Sequence, residues 1–345
     1  MMWLLILAGF ILLFAGGEAL VRGSVGVARR VGMSELVIGL TLVGFGTSLP
    51  ELVTSLQALS TGAVGLSVGN VIGSNVANIL LVIGAAALVR AITTNPRALA
   101  RDGLFMFAVT VLFALIVWYD LFTRWTGIAL TVLLVAYLIV SVILDRRANS
   151  AAGTMHQGEA EEFESDDPIW LSILLTLGGI AGVIFGARFL VDGGSQAARL
   201  FGVSETVIGI SIVAIGTSLP ELVTSVMAAR KGKADVALGN VLGSNVFNIL
   251  GILGISAIVF PFSVRGGGSV NASGDAAIPL EVSAMQFDGA MGLVTWTDMG
   301  ALFLSLFLLF LFAFTGRRLA RWEGGILLAA YLLYLGLRFD LVPTF

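Results

Sequence analysis

Two glutamates stand where a carboxylate is costly. The segment Gly46-Thr-Ser-Leu-Pro-Glu51 recurs as Gly216-Thr-Ser-Leu-Pro-Glu221, each inside an apolar stretch of helix length. An ionisable side chain at bilayer depth costs about 2.5–3.5 kcal/mol on insertion scales, so a carboxylate beside a helix-breaking proline calls for a function. Polar residues surround both. Thr47, Glu51 and Thr54 are spaced i, i+4, i+7, and Asn70, Ser74 and Asn78 are spaced i, i+4, i+8, so each set forms one stripe if helical; the copies are Thr217, Glu221, Thr224 and Asn240, Ser244, Asn248. Pro50 and Pro220 lack an N–H, which leaves the carbonyls of Gly46 and Gly216 without their helical partner; Gly44 and Ala214 are further carbonyl candidates. Two carboxylates, several hydroxyl or amide oxygens and a few carbonyls are what Ca²⁺ asks for, with its 6–8 oxygen ligands, and the same set can hold Na⁺. Zn²⁺ and Cu⁺ are poor fits, because the chain has no cysteine and its one histidine, His156, lies in a polar connection. Two neighbouring carboxylates at low dielectric need a cation or a proton for company. A site that is rarely empty and charged suits exchange.

The elements that must position these groups are membrane helices. Of 345 residues 57% are hydrophobic and 12% charged, mean hydropathy is +1.00, and apolar runs of about 20 residues recur throughout. The runs are uniformly apolar rather than alternating, which excludes a transmembrane barrel. The expected fold is all-α and polytopic, with ten spans near 3–29, 35–60, 64–89, 99–119, 125–144, 169–198, 204–229, 234–260, 299–315 and 322–339. The first is expected to be a retained helix rather than a signal peptide. Thirteen Lys and Arg fall in the odd-numbered connections and four on the other side, which predicts both termini outside the cytoplasm and the 145–168 connection within it.

Internal repetition is the strongest feature. Residues 16–84 match 186–254 without a gap, at a constant offset of 170. Five spans per half is an odd number, so the second copy enters the membrane from the opposite face. Such inverted repeats place a substrate site near the midplane, between discontinuous helices, here the second and seventh. The expected division is a first five-helix repeat over 1–145, an acidic cytoplasmic linker over 146–168, and a second repeat over 169–345. Trp125-Thr-Gly recurs as Trp322-Glu-Gly at an offset of 197, so the second repeat carries 27 extra residues within an extracytoplasmic insertion near 261–297.

The segments Gly46-Thr-Ser-Leu-Pro-Glu-Leu-Val-Thr54 and Gly69-Asn-Val-Ile-Gly-Ser-Asn-Val-Ala-Asn78, with their copies at 216–224 and 239–248, resemble the α-repeats of the Ca²⁺/cation antiporter superfamily, in particular its prokaryotic sodium/calcium exchanger type. The resemblance implies that Glu51 and Glu221 ligate the metal ion. It assigns oxygen ligands to Thr47, Ser48, Thr217 and Ser218, and to Ser74, Asn78, Ser244 and Asn248 in the following spans. It implies a secondary antiporter that exchanges Ca²⁺ for Na⁺ by alternating access, the long first and sixth spans moving as a pair. The expected partners are Ca²⁺, Na⁺ and the lipid bilayer, with no nucleic acid, no cofactor beyond the transported ions, and a monomer sufficing, in a prokaryotic inner or plasma membrane. One departure is plain: many members carry aspartate at one of the positions filled by Asn78 and Asn248, which leaves the counter-ion stoichiometry open. The alternative is Ca²⁺/H⁺ exchange, although the histidine typical of that branch is missing near either glutamate.

Blander assignments compete elsewhere. A lone Thr-Ser-Leu-Pro-Glu could be a kink whose hydroxyls satisfy freed carbonyls; two copies at one offset, each with glutamate, favour the ion site. Asn75 and Asn245 sit about 100° from the Ser/Asn stripe and suit interhelical hydrogen bonding. Gly69, Gly73, Gly239 and Gly243 suit close helix packing. Glu18, Arg22 and Arg188 are expected to pair or to reach an interface, Asp102 and Asp298 to cap helices, and the acidic run 159–167 to be a solvated linker rather than a Ca²⁺ sensor. A channel would lack counter-ion dependence, a receptor would carry no flux, and an ATP-driven pump is excluded by the missing Walker motif. No enzymatic chemistry is expected.

Overall fold

The computed structural model describes residues 2–93, 96–153, 168–200, 214–265, 296–315 and 318–338. These are almost wholly helical: α1 Met2–Val31, α2 Glu35–Thr47, α3 Leu49–Ser60, α4 Val64–Val89, α5 Pro96–Tyr119 and α6 Arg124–Gly153, then α7 Ile169–Leu200, α8 Ala214–Thr217, α9 Leu219–Arg230, α10 Ala234–Val259, α11 Trp296–Thr315 and α12 Arg321–Arg338. Seven of them are long and apolar enough to cross a membrane, or eight if the bent pair α2–α3 is one span. The exception to an all-α fold is a ribbon of two short antiparallel strands, β1 Ile92–Thr93 and β2 Arg318–Leu319, which staples the chain after α4 to the chain before α12. The acidic run 159–167, His156 and residues 266–295 of the insertion lie outside the described residues, as do the first ten residues of the expected seventh span.

The expected helix break is present, and local chemistry explains it. Ser34 opens α2, its hydroxyl accepting the Val37 N–H at 3.3 Å. The helix widens into a π turn at Gly39–Val43 and stops at Ser48, whose φ −87° and ψ 7° leave the helical region. Chain direction then bends by 42°. Pro50 falls in the first turn of α3, where its missing N–H would be unpaired in any case. Ser218 repeats this with φ −87° and ψ 3°, and Pro220 sits likewise in the first turn of α9. The hairpins after α3 and α9 turn on Gly62 and Gly232, at φ 77° and 76°, a conformation that costs glycine nothing. Further π turns begin at Asn78 and at Asn248, where such wide turns commonly mark function.

Packing divides the molecule in two. One apolar cluster joins α2, α4, α5, α6, α10, α11 and α12, with Phe113, Ile79, Ile83 and Leu242 fully buried. A second joins α1 to α7 and touches α9 and the start of α10 through Met227, Ala228, Val236 and Ala237. Between α1 and α7 the backbones nearly touch: a Cβ on Gly179 would lie 2.4 Å from the Leu20 nitrogen. The glycines of these helices therefore serve mainly to bind the pair together, although Gly17 faces Val223 and Met227 of α9.

Gly239 and Gly243 are close-packing residues, set against the backbone of Leu36 and Leu40 of α2. The counterparts of those leucines by the same offset, residues 206 and 210, lie outside the described residues, and among the described residues nothing lies within 4 Å of a Cβ built on Gly69 or Gly73. A Cβ on Gly243 would stand 2.2 Å from the Leu40 carbonyl oxygen, with backbone on both sides. Gly243→Val should therefore cost about 1–3 kcal/mol or more by overpacking and lower the thermal midpoint of the purified protein, whereas substitution at lipid-facing Leu332 should leave it in place.

Asp102 is not a helix cap, whereas Asp298 lies in the first turn of α11. Asp102 lies six residues into α5, fully buried, with the Arg101 guanidinium at 2.8 Å and the Tyr137 hydroxyl donating at 3.4 Å. Asp298 accepts the Tyr334 hydroxyl at 3.3 Å. Tyr137 and Tyr334 reach these carboxylates from α6 and α12, while Arg101 is the neighbour of Asp102 within α5.

Candidate functional site

Glu51 and Glu221 each occupy the first turn of the helix that follows a break, and both are 1% exposed. A helix start favours negative charge there, through its unpaired N–H groups and dipole. The halves meet at this point: the Ser48 hydroxyl, at the first break, donates to Oε1 of Glu221 at 2.9 Å.

Most of the oxygens read from the sequence line the same interior. Thr47, Ser48 and Ser218 are buried at the breaks, and Thr217 is half-buried. Ser74, Asn78, Ser244 and Asn248 are buried on α4 and α10. Thr47 Oγ1 donates within its helix to the Val43 carbonyl at 3.1 Å and lies 3.2 Å from Asn240 Oδ1. The Gly44 carbonyl accepts the Ser48 N–H and the Ser244 hydroxyl, each at 3.2 Å, so protein donors already occupy it. Gly46 packs against Ile180 and Gly216 against Val191, which sets both breaks against α7; Ala214 opens α8.

Among the buried polar atoms without a hydrogen-bond partner are Glu51 Oε2, Glu221 Oε2, Asn78 Oδ1 and Asn248 Oδ1, beside Asn248 Nδ2, Asn75 Oδ1 and the hydroxyls of Ser67, Thr224 and Ser256. An unsatisfied buried polar group costs about 1–3 kcal/mol, and more if charged, so the carboxylate and amide oxygens of the candidate site are open to an electropositive partner. The carboxylate and amide oxygens are hard acceptors. That donor set fits Ca²⁺ or Na⁺ and offers nothing to a soft metal.

One stripe expected from spacing does not survive the break. Because the chain bends at Ser48, Thr47 and Glu51 belong to different helices, and the i, i+4 relation between them fails. Ser55, one turn after Glu51 within α3, is the buried residue that serves the site. Asn70 Nδ2 donates to the Glu51 carbonyl at 3.2 Å and to Ser55 Oγ at 3.0 Å; Asn240 does the same to Glu221 at 3.4 Å and Ser225 at 2.9 Å. All three residues, Glu51, Ser55 and Asn70, recur at the 170-residue offset, the signal by which Ser55 and Ser225 could have been found.

A helical membrane protein with a buried, carboxylate-centred oxygen site is the architecture of an ion carrier. The chain belongs to the sodium/calcium exchanger protein family, which it matches over residues 1–143 and 171–339. It is 32% identical to the sodium/calcium exchanger MaX1 of Methanosarcina acetivorans, over 96% of this chain and 97% of that one. It is 36% identical to the inner membrane protein YrbG of Escherichia coli K12, over 74% and 79%. Its fold matches the sodium-calcium exchanger NCX_Mj, soaked with zero Na⁺ and Ca²⁺, at a TM-score of 0.75 and 31% identity, over 96% of this chain and 97% of that one.

Proposed function

We propose that this protein exchanges Ca²⁺ for Na⁺ across a prokaryotic inner membrane, by alternating access to one site between Glu51 and Glu221. The observation that carries this reading is the contact between halves, in which Ser48 meets Glu221 beside Glu51 while the outer oxygens of both carboxylates stay unpaired. Membership of the sodium/calcium exchanger family and the likeness to NCX_Mj support the choice of ions. Thr47, Ser48, Thr217, Ser218, Ser74, Asn78, Ser244 and Asn248 complete the ligand shell, with the Gly46 and Gly216 carbonyls nearest the breaks. The chain crosses the membrane ten times, as two inverted five-helix repeats over 1–145 and 169–345 joined by the 146–168 linker, with both termini outside. One chain holds the whole site. The pair α1/α7 moves against the remaining helices, a division favoured by its place outside the main apolar core, which it meets through Val43, Met227, Ala228, Val236 and Ala237 of the second cluster.

Energetics set the stoichiometry. Exporting Ca²⁺ against a 10⁴-fold gradient and 100 mV costs about 10 kcal/mol, while each Na⁺ entering down a tenfold gradient at that potential returns about 3.7. Two fall short and three suffice. In vesicles, an imposed Na⁺ gradient should drive ⁴⁵Ca²⁺ counterflow with one net charge moved per Ca²⁺. Flux that ignores Na⁺ and follows a pH jump would overturn the counter-ion, and electroneutral flux would overturn three-for-one.

A further inference from the structure

The Asn78 and Asn248 side chains are equivalent by repeat but not by contact. Asn78 Nδ2 donates to Asn245 Oδ1 at 3.0 Å. Asn245 is itself pinned, its Nδ2 facing the Asn75 carbonyl at 3.4 Å and Met106 Sδ at 3.7 Å. With its N–H₂ engaged outward, Asn78 turns its unpaired Oδ1 the other way. The second arm is open. Asn248 leaves both amide atoms unpaired, and Asn75, the counterpart of Asn245, leaves Oδ1 unpaired while its Nδ2 donates to the Val71 carbonyl at 2.8 Å. All of these groups are at least 98% buried, so the bond missing from the second arm, Asn248 Nδ2 to Asn75 Oδ1, would relieve two unsatisfied groups together.

We infer that Asn245 is a positioning residue that presents the Asn78 oxygen to the transported cation, and that Asn75 takes the same role for Asn248 once a cation draws the Asn248 oxygen toward it. This rests on the cation site proposed above. An amide can offer a donor or an acceptor to its surroundings, and only the second-layer asparagine decides which. One arm is thus set before binding and the other is set by it. Closure of the second arm would add a second hydrogen bond between α4 and α10 to the one that Asn78 and Asn245 already make.

The test is equilibrium ⁴⁵Ca²⁺ binding to the purified full-length protein, beside flux in vesicles. Asn245→Ala should raise the half-saturating Ca²⁺ concentration about tenfold, the equivalent of about 1.4 kcal/mol. Adding Asn78→Asp should bring it back to within about threefold of Asn78→Asp alone, because a carboxylate presents oxygen whichever way it turns. Asn75→Ala should behave likewise, with rescue by Asn248→Asp. Unchanged binding in Asn245→Ala, or weakened binding that Asn78→Asp does not rescue, would overturn the inference. Should Asn245→Ala fold poorly, Asn245→Asp keeps the accepting oxygen and should bind Ca²⁺ no more weakly than the parent; a tenfold loss there would also overturn it. The underlying site is checked separately. If the parent protein binds no Ca²⁺, or binds it equally in Glu51→Gln, the cation site itself fails; if Glu51→Gln loses binding and Asn245→Ala does not, only the positioning role fails.

Discussion

Glu51→Gln and Glu221→Gln should each reduce Na⁺-dependent ⁴⁵Ca²⁺ counterflow by at least a thousandfold. Glutamine keeps the size of the side chain and one oxygen and removes one of the two charges that balance Ca²⁺ in an interior where both glutamates are 1% exposed. At an effective dielectric near 20, a unit charge about 4 Å away is worth about 4 kcal/mol, and a divalent ion doubles the attraction before desolvation is subtracted. A net loss of about 4 kcal/mol is about three decades in affinity. Na⁺ carries half the charge and should lose less, so Na⁺/Na⁺ exchange should be impaired less than Ca²⁺ exchange in the same variants. The break geometry should persist, because Pro50, Pro220 and the Asn70 and Asn240 contacts to backbone do not involve the carboxylates. Wild-type flux in either variant, with the protein folded, would remove the glutamates from the mechanism.

The candidate site was legible in the sequence where repetition doubled a weak signal. One buried glutamate beside a proline is ambiguous, but two at a fixed offset are not, and the structure brings Ser48 to Glu221 across 173 residues of chain. What spacing alone could not give was anything dependent on the break. Helical arithmetic links Thr47 to Glu51 because it assumes a continuous axis where the chain bends by 42°, whereas Ser55, at i+4 from Glu51 in one unbroken helix, was within its reach. The wide turns at Asn78 and Asn248 were likewise invisible, since a π turn adds one residue without altering composition. The asymmetry between the two arms was beyond sequence altogether: Asn75 and Asn245 are the same residue at the same repeat position, and only packing against Met106 and the Asn75 carbonyl separates them. Interhelical hydrogen bonding was the right expectation for Asn245, but its partner, a site residue of the other half, could not be read from one helix.

Linking α1 to the turn after α9 should stop transport reversibly. The ion pair between Glu18 of α1 and Lys231, 2.6 Å apart, bridges the α1/α7 pair and the helices that carry the glutamates. Both side chains are partly exposed, so the pair is worth at most about 1 kcal/mol, and Glu18→Cys with Lys231→Cys should leave the reduced protein nearly as active as its parent. The chain has no cysteine, so a short reagent bearing two thiol-reactive disulfide-forming groups can react only at these two positions. If access alternates by motion of α1/α7 past α9, exchange should fall more than tenfold on cross-linking and return on reduction. The control lies within the moving pair: Gly26→Cys with Ser172→Cys, whose Cβ atoms start 3.0 Å apart and must separate by about 0.5–1 Å to reach disulfide spacing, joins α1 to α7 directly on oxidation and should leave exchange within about twofold of its own reduced level. Full cross-linking between 18 and 231 with undiminished exchange would show that the two groups of helices do not move past one another, and the distinct apolar cluster of α1 and α7 would then be an ordinary packing boundary rather than a sliding surface.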